Sequence, residues 1–348
     1  RRQRQMCIRD SAGTGKTTMV KVIADYIEQT RQLAMMAPTG RAARVLAMKT
    51  GHTATTIHKA IYSKAHVEPK KVKNIAESEF KFVFSINNSE NGGNIVAIVD
   101  EASMVCSRKI EHELFMFGTD NLMEDLLTFV RPNFGGKVIF VGDPAQLPPV
   151  GESVSNALRA EYFKEKGLKV IEAELTEVLR QKDDSVILKN AMMIRDLLKK
   201  DKRNQLVFEE QKDDVETVPS EQFLDKYLNY RKESGRHDSV IICYSNKSAN
   251  RYNRDIRKSL YGGDVPLQEN DILLITQNNY RLNRMNGEFV PVLSIGERTQ
   301  QSAPVYAQIG GKKERIVITL NFIKVTVPNG DGNPIPCMLL EDLLTSDT

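Results

Sequence analysis

The chain has 348 residues, of which 41% are hydrophobic and 27% charged, with 21 Gly and 13 Pro. At about 150 residues per domain this predicts two or three cored domains, and it excludes a disordered, collagenous or disulfide-built chain. Its 49 Lys plus Arg against 45 Asp plus Glu leave a net charge of +4, which permits nucleic-acid binding without demanding it. Cys7, Cys106, Cys243 and Cys337 stand far apart with no CxxC pair, so neither a zinc site nor a disulfide framework is indicated. A reduced, cytoplasmic setting is expected. No apolar run approaches the roughly 18 residues of a membrane-crossing helix. The basic start, Arg1–Gln5, is not followed by the apolar stretch of a signal peptide.

In chain order, Met6–Ile8 reads as a short strand and Thr17–Gln29 as a helix. Leu33–Ala37 is a strand, Arg41–Met48 a helix, and Ile95–Val99 and Val138–Val141 are further strands. The strands are near-continuous apolar runs, as buried parallel strands are. Their alternation with helical patterns predicts a doubly wound α/β domain with a parallel sheet. A second α/β unit is expected from a helix at Ser185–Lys200, a charged loop at Glu209–Glu216, a helix at Gln222–Lys232 and a buried strand at Ser239–Tyr244. The Lys199–Arg203 charge run reads as a solvated helix end. Beyond Gly262-Gly263 the texture changes to short strands: Asp271–Thr276, Phe289–Ile295, Pro304–Gln308, Arg315–Leu320 and Ile323–Val327. Turn residues between them predict a small β-barrel-like module. The expected domains are therefore 1–181, 182–262 and 263–348.

The strongest chemical signal is Ser11-Ala12-Gly13-Thr14-Gly15-Lys16-Thr17-Thr18. Gly13 and Gly15 let the backbone curl so that its N–H groups point at a β-phosphate. Lys16 would reach the β- and γ-phosphates, and the Thr17 hydroxyl would ligate Mg²⁺. The helix that starts near Lys16 directs its positive dipole end at the same anion. The nucleotide implied is ATP. Asp10 stands where the full pattern has glycine, and the residues before Ser11 read as a lead-in foreign to the loop.

Ile95–Val99 ends in Asp100-Glu101. Asp100 at the strand tip suits a Mg²⁺ ligand acting through water, and Glu101 suits a general base on the attacking water. Any strand ending in a polar turn has this pattern. Its position downstream of Lys16 in one α/β unit selects the catalytic reading. The exit loop of the next strand, Gly142–Val150, lies where α/β sheets bind ligand. There Gln146 could sense the γ-phosphate or orient the water, and Pro148-Pro149 stiffen the turn either way.

These segments, with Ala-Pro-Thr-Gly-Arg-Ala-Ala (Ala37–Ala43), Thr-Ile-His (Thr56–His58) and Leu-Thr-Glu-Val-Leu-Arg-Gln (Leu175–Gln181), occur in the order seen in superfamily 1 DNA helicases. The chain resembles the RecD and Dda type most, densely over about 11–181 and more weakly over Tyr244–Lys247 and Asn286–Glu288. The resemblance implies two RecA-like P-loop NTPase domains, the second partial and carrying an inserted SH3-like module. It implies a monomeric motor with ATP between the domains and single-stranded DNA, or a single-strand/duplex junction, across their top, translocating 5′→3′ in repair or recombination. It gives Arg180 the role of reaching the γ-phosphate across the cleft, where a cation compensates transition-state charge. It also turns Thr39, Gly40 and Arg41, otherwise an ordinary strand–turn–helix junction, into a DNA-phosphate site, and makes His58 a DNA-groove or motif-coupling residue.

His66–Asn88, with Lys70–Lys73 and Phe80–Phe84, matches the strand-separating wedge of relatives, and an exposed hairpin without that role fits equally. With no Trp, no aromatic array for base stacking is evident in the sequence. The family's last two motifs are absent, so a piece of a longer protein is expected. A P-loop ATPase that remodels nucleic acid without unwinding, and a nucleotide-switched binding module without turnover, are the competing readings.

Overall fold

The computed structural model describes residues 5–10, 15–63, 66–69, 80–87, 94–111, 115–175, 185–200, 202, 205–212, 214–234, 239–276, 279, 281–309 and 312–345. The chain divides into two compact units, Arg1–Val215 and Glu216–Thr348, so residues 182–215 belong with the first.

The first unit runs β1 (Gln5–Asp10), α1 (Lys16–Glu28), β2 (Gln32–Ala37), α2 (Gly40–Thr50), β3 (Ala54–Thr56), α3 (Ile57–Ile61), β4 (His66–Pro69) and β5 (Phe80–Phe84). It continues with β6 (Ile95–Val99), β7 (Phe115–Phe117), α4 (Leu122–Val130), β8 (Lys137–Gly142), α5 (Ala160–Glu165), β9 (Val170–Leu175) and α6 (Val186–Lys199). The main sheet has the order β3-β2-β6-β8-β1-β9, and every pair in it is parallel. All its carboxyl ends therefore lie on one edge, where the loops that carry the sequence motifs leave the sheet.

Apolar residues on both faces explain the sheet. Along β6, Ile95, Ala97 and Val99 pack with Met123, Leu126, Phe140 and Phe163, while Val96 and Ile98 pack on the other side with Val20, Ala24 and Leu46. Each such side chain contributes about 1.5–3 kcal/mol when taken out of water. The bounds of α2 follow from local chemistry. The Thr39 hydroxyl oxygen accepts the Ala42 N–H at 3.2 Å, and Gly51 ends the helix at φ +79. A smaller sheet joins β5 antiparallel to β4 and parallel to β7.

The second unit comprises α7 (Ser220–Ser234), α8 (Asn246–Tyr261), β10 (Ile272–Leu274), β11 (Phe289–Pro291), β12 (Ser294–Ile309), β13 (Lys312–Pro328), β14 (Pro334–Leu340) and α9 (Glu341–Thr345). Its strands form a β10-β11 pair and a β12-β13-β14 sheet, all antiparallel, around Leu282, Val290, Val292, Ile323, Val325 and Val327.

Two expectations are corrected. Ser239–Tyr244 is not a strand: it runs as coil, with Val240, Ile242 and Tyr244 exposed. An apolar run becomes a strand only when another backbone pairs with it, and no partner stands beside it among the described residues. Conversely, Pro304–Gln308 lies within β12, and Arg315–Leu320 with Ile323–Val327 merges into β13. One continuous register, shifted only between Ile295 and Arg298, carries the long hairpin through those points. Among the described residues no helix is long and apolar enough to cross a membrane.

Candidate nucleotide and nucleic-acid site

The loop that follows β1 is described from Gly15 onward, so Ser11, Ala12, Gly13 and Thr14 lie outside the described residues, as does Arg180. Gly15 adopts φ +86, a conformation costly for any residue with a Cβ. Its carbonyl accepts the N–H groups of Thr18 at 3.0 Å and Met19 at 3.1 Å, which starts α1. Lys16 and Thr17 are half-buried at that start, and Thr18 is exposed. Asp10 closes β1 in register with Leu175 of β9.

Across the edge, Asp100 follows β6 and its N–H donates to Met36 O of β2 at 2.9 Å. Glu101 follows in the left-handed region at φ +50 and ψ +39, and a short 3-10 turn, Ala102–Met104, begins there. A non-glycine residue held in this region marks strain of about 1–3 kcal/mol that the surrounding packing must offset. Burial lifts the Asp100 carboxyl above its usual range, against the Glu101 backbone N–H and the charges of Lys16 and Lys49. Burial also lifts Glu101; Asp100 and Asp143 push it the same way and Lys16 opposes them. Lys16, Asp100, Glu101 and Asp143 therefore form one electrostatic neighbourhood, assembled from the ends of three strands.

The exit of β8 packs directly on that turn. A Cβ on Gly142 would lie 3.1 Å from Ser103 N and 3.2 Å from Ala102 N, so glycine lets the two loops touch. Asp143 next to it is buried; its Oδ1 accepts the Ala145 N–H at 2.9 Å and its carbonyl accepts the Gln146 N–H at 3.1 Å. This folded turn presents an exposed Gln146. Farther along, Glu152 ties the loop to the segment after the 3-10 turn. It accepts the Cys106 thiol at 2.9 Å, the Ser107 N–H at 2.8 Å and the Ser107 hydroxyl at 2.7 Å. Burial would raise the Glu152 carboxyl, but these donors override it and hold it below the ordinary range.

On the same edge, Thr39 caps α2, Gly40 is buried and Arg41 is exposed beside them. His58 is exposed on α3 and lies edge-on to Phe117, with ring centroids 5.3 Å apart. Here the structure corrects the expectation of no aromatic array. In the β5–β7 register Phe82 faces Phe115, stacked at 5.8 Å, and Phe84 faces Phe117, stacked at 4.5 Å. Phe82 and Phe115 are each 42% exposed. Below them the Tyr62 hydroxyl donates to Asp125 Oδ2 at 2.7 Å. Burial and that carboxylate hold the phenol far above its usual value.

Sequence reasoning missed Asp143, Glu152 and Phe115. Only the alternation of Phe115 and Phe117 hinted at the last, and their distance in sequence from Phe82 gave little reason to pair them with it. The Lys70–Lys73 part of the wedge segment lies outside the described residues; its flanking strands β4 and β5 form an antiparallel pair.

Residues 1–220 match the family described as AAA domain. The ATP-dependent RecD2 DNA helicase of Deinococcus radiodurans is 36% identical over 139 residues, covering 40% of this chain and 15% of that protein. The ATP-dependent DNA helicase dda of Enterobacteria phage T4 is 25% identical over 304 residues, covering 84% of this chain and 61% of that protein. The matched part of the chain thus spans less than two thirds of either relative. A crystal structure of Bacteroides sp Pif1 in complex with ADP-AlF4 aligns with 97% of this chain and 77% of its own, at 16% identity and a TM-score of 0.36. The two helicase relatives are of the RecD and Dda type to which the motifs pointed.

Proposed function

The chain belongs to the AAA domain family, and from that premise we propose that it hydrolyses ATP and couples the hydrolysis to movement along single-stranded DNA, unwinding duplex 5′→3′. The observation that carries the reading is the cluster of Lys16, Asp100 and Glu101 at the carboxyl edge of one parallel sheet, with the Gln146 loop packed against it.

In this reading Gly15 and the amides of the first turn of α1 bind the nucleotide phosphates, together with Ser11–Thr14 and Thr18. Lys16 neutralises the β- and γ-oxygens. Glu101, its carboxyl raised by burial, takes the proton of the attacking water. Gln146 orients that water, and Arg180 offsets the transition-state charge. The residues suit a magnesium ion held by Thr17 and Asp100. Among the described residues no three His, Cys, Asp or Glu gather into a metal cage of their own. When bound, Mg²⁺ screens the phosphate charge.

DNA would run over Thr39, Gly40, Arg41 and His58, with bases stacking on the Phe82–Phe115 face. The unit Arg1–Val215 would carry the ATP chemistry, and the segments 216–262 and 263–348 the second motor domain and its inserted module. The setting is cytoplasmic. Two assays test the reading: ATP turnover with and without single-stranded DNA, and strand displacement on duplexes with a 5′ or a 3′ tail. DNA-stimulated turnover with 5′-tail displacement is expected. Turnover without displacement would favour a remodelling ATPase, and nucleotide-dependent DNA binding without turnover a switch.

A further inference from the structure

The helix that follows the Arg180 segment returns to the catalytic edge. Arg195, on the later part of α6, places Nη2 against Oδ2 of Asp143, whose side chain is 2% exposed while that of Arg195 is 18% exposed. The two oxygens of this carboxylate have separate tasks. Oδ1 closes the turn through the Ala145 N–H, and the adjacent carbonyl of the same residue holds the Gln146 N–H. Oδ2 belongs to α6.

A carboxylate this buried is costly to leave without its cation. If Arg195 is lost, Asp143 must turn toward water or another donor, and that movement disturbs the turn that Oδ1 builds. The helix is a firm support for the arginine. Its Val186 N–H donates to Asp214 Oδ2 at 2.9 Å. Buried Asn190 exchanges two hydrogen bonds with the Glu209 backbone, at 2.9 and 2.8 Å. The bond from Arg195 therefore connects a pinned helix, one short segment beyond Arg180, to the loop that presents Gln146.

We propose that Arg195 is a positioning residue: through Asp143 it holds the Gln146 loop in its working shape and makes that loop and α6 move as one piece. This rests on the ATPase reading for its catalytic consequence, but the loop geometry it predicts does not. The chain has no Trp, so Leu147→Trp, at a position 83% exposed beside Gln146, provides a single fluorescent reporter of the loop in the full chain.

In that background, Arg195→Ala should change the Trp emission and its acrylamide quenching in the absence of nucleotide. Arg195→Lys should change them much less. Adding Asp143→Asn to Arg195→Ala should restore the signal, because Asn removes the buried charge and keeps an oxygen for the Ala145 N–H. Without the reporter, Arg195→Ala should lower kcat for ATP by roughly 10- to 100-fold, the scale of a misplaced catalytic group, while KM stays unchanged. Arg195→Lys should recover most of the rate. An unchanged Trp signal in Arg195→Ala would overturn the proposal, as would a rate loss in which KM rises in step or Lys gives no rescue. Absence of turnover in the parent chain would instead remove the ATPase reading, and the reporter result would stand on its own.

Discussion

Glu101 combines a left-handed backbone with a carboxyl raised by burial. Under the proposed chemistry, Glu101→Gln should leave nucleotide affinity intact and cut turnover by roughly 10²-fold or more, the scale of a lost general base. Lys16→Ala should weaken nucleotide binding itself, so equilibrium binding of a fluorescent ATP analogue separates the two variants. The backbone makes an independent prediction. Glu101→Gly should be more stable than Glu101→Ala by about 1 kcal/mol, since only glycine adopts φ +50 without cost; equal urea midpoints would remove the strain. The pH dependence follows from the direction of the shift. A raised carboxyl takes up its proton earlier as pH falls, so the base is lost at a higher pH than usual. The acidic limb of kcat should lie above the ordinary Glu value of about 4.3. A limb at or below that value would take the role of base away from Glu101.

At the scale of elements, three short pieces that are weak alone hold one another in place. β5 and β7 together span eight residues, and α3 only five. They are joined by stacked cross-strand phenylalanines and by the T-shaped His58–Phe117 contact, and the Tyr62–Asp125 bond ties the end of α3 to α4. Asp125, fully buried, also accepts the Thr119 N–H and the Thr119 hydroxyl, the latter at 2.7 Å. Asp125→Ala would orphan those donors, each worth about 1–3 kcal/mol, and should cost about 2–5 kcal/mol in urea unfolding. Phe115→Ala should leave the fold standing and weaken single-strand binding by about 1–3 kcal/mol, the worth of one stacked base, without altering the salt slope. An unaltered affinity would show that the exposed Phe82–Phe115 face is not a stacking platform.

For the whole molecule, a net charge of only +4 means that the proposed attraction to DNA would have to come from local cations and not from the overall field. If phosphate contacts dominate, log affinity for single strands should fall with log salt at about −0.7 per phosphate neutralised. Arg41→Ala should reduce that slope by roughly one contact and leave base preference alone. A flat salt response, or strong preference for one short sequence, would argue against a strand-tracking motor.

How much of this was legible in the sequence depends on the range of the interaction. The apolar runs at Leu33–Ala37, Ile95–Val99 and Val138–Val141, and the glycines of the phosphate loop, are local signals, so the parallel sheet and its loaded edge could be read directly. The motif order brought Lys16, Asp100, Glu101 and Gln146 to attention for the same reason: strand ends in a parallel sheet share one edge whatever the details of packing. The tertiary structure decided what depends on partners distant in sequence. It left the apolar run Ser239–Tyr244 as coil, with no pairing backbone among the described residues, and it fused β13 across two expected strands through its register with β12. It stacked Phe82 on Phe115, and it set Arg195 on Asp143. No local pattern encodes these, because a stacked ring or a buried ion pair exists only once two remote segments have already been brought together by the burial of their neighbours.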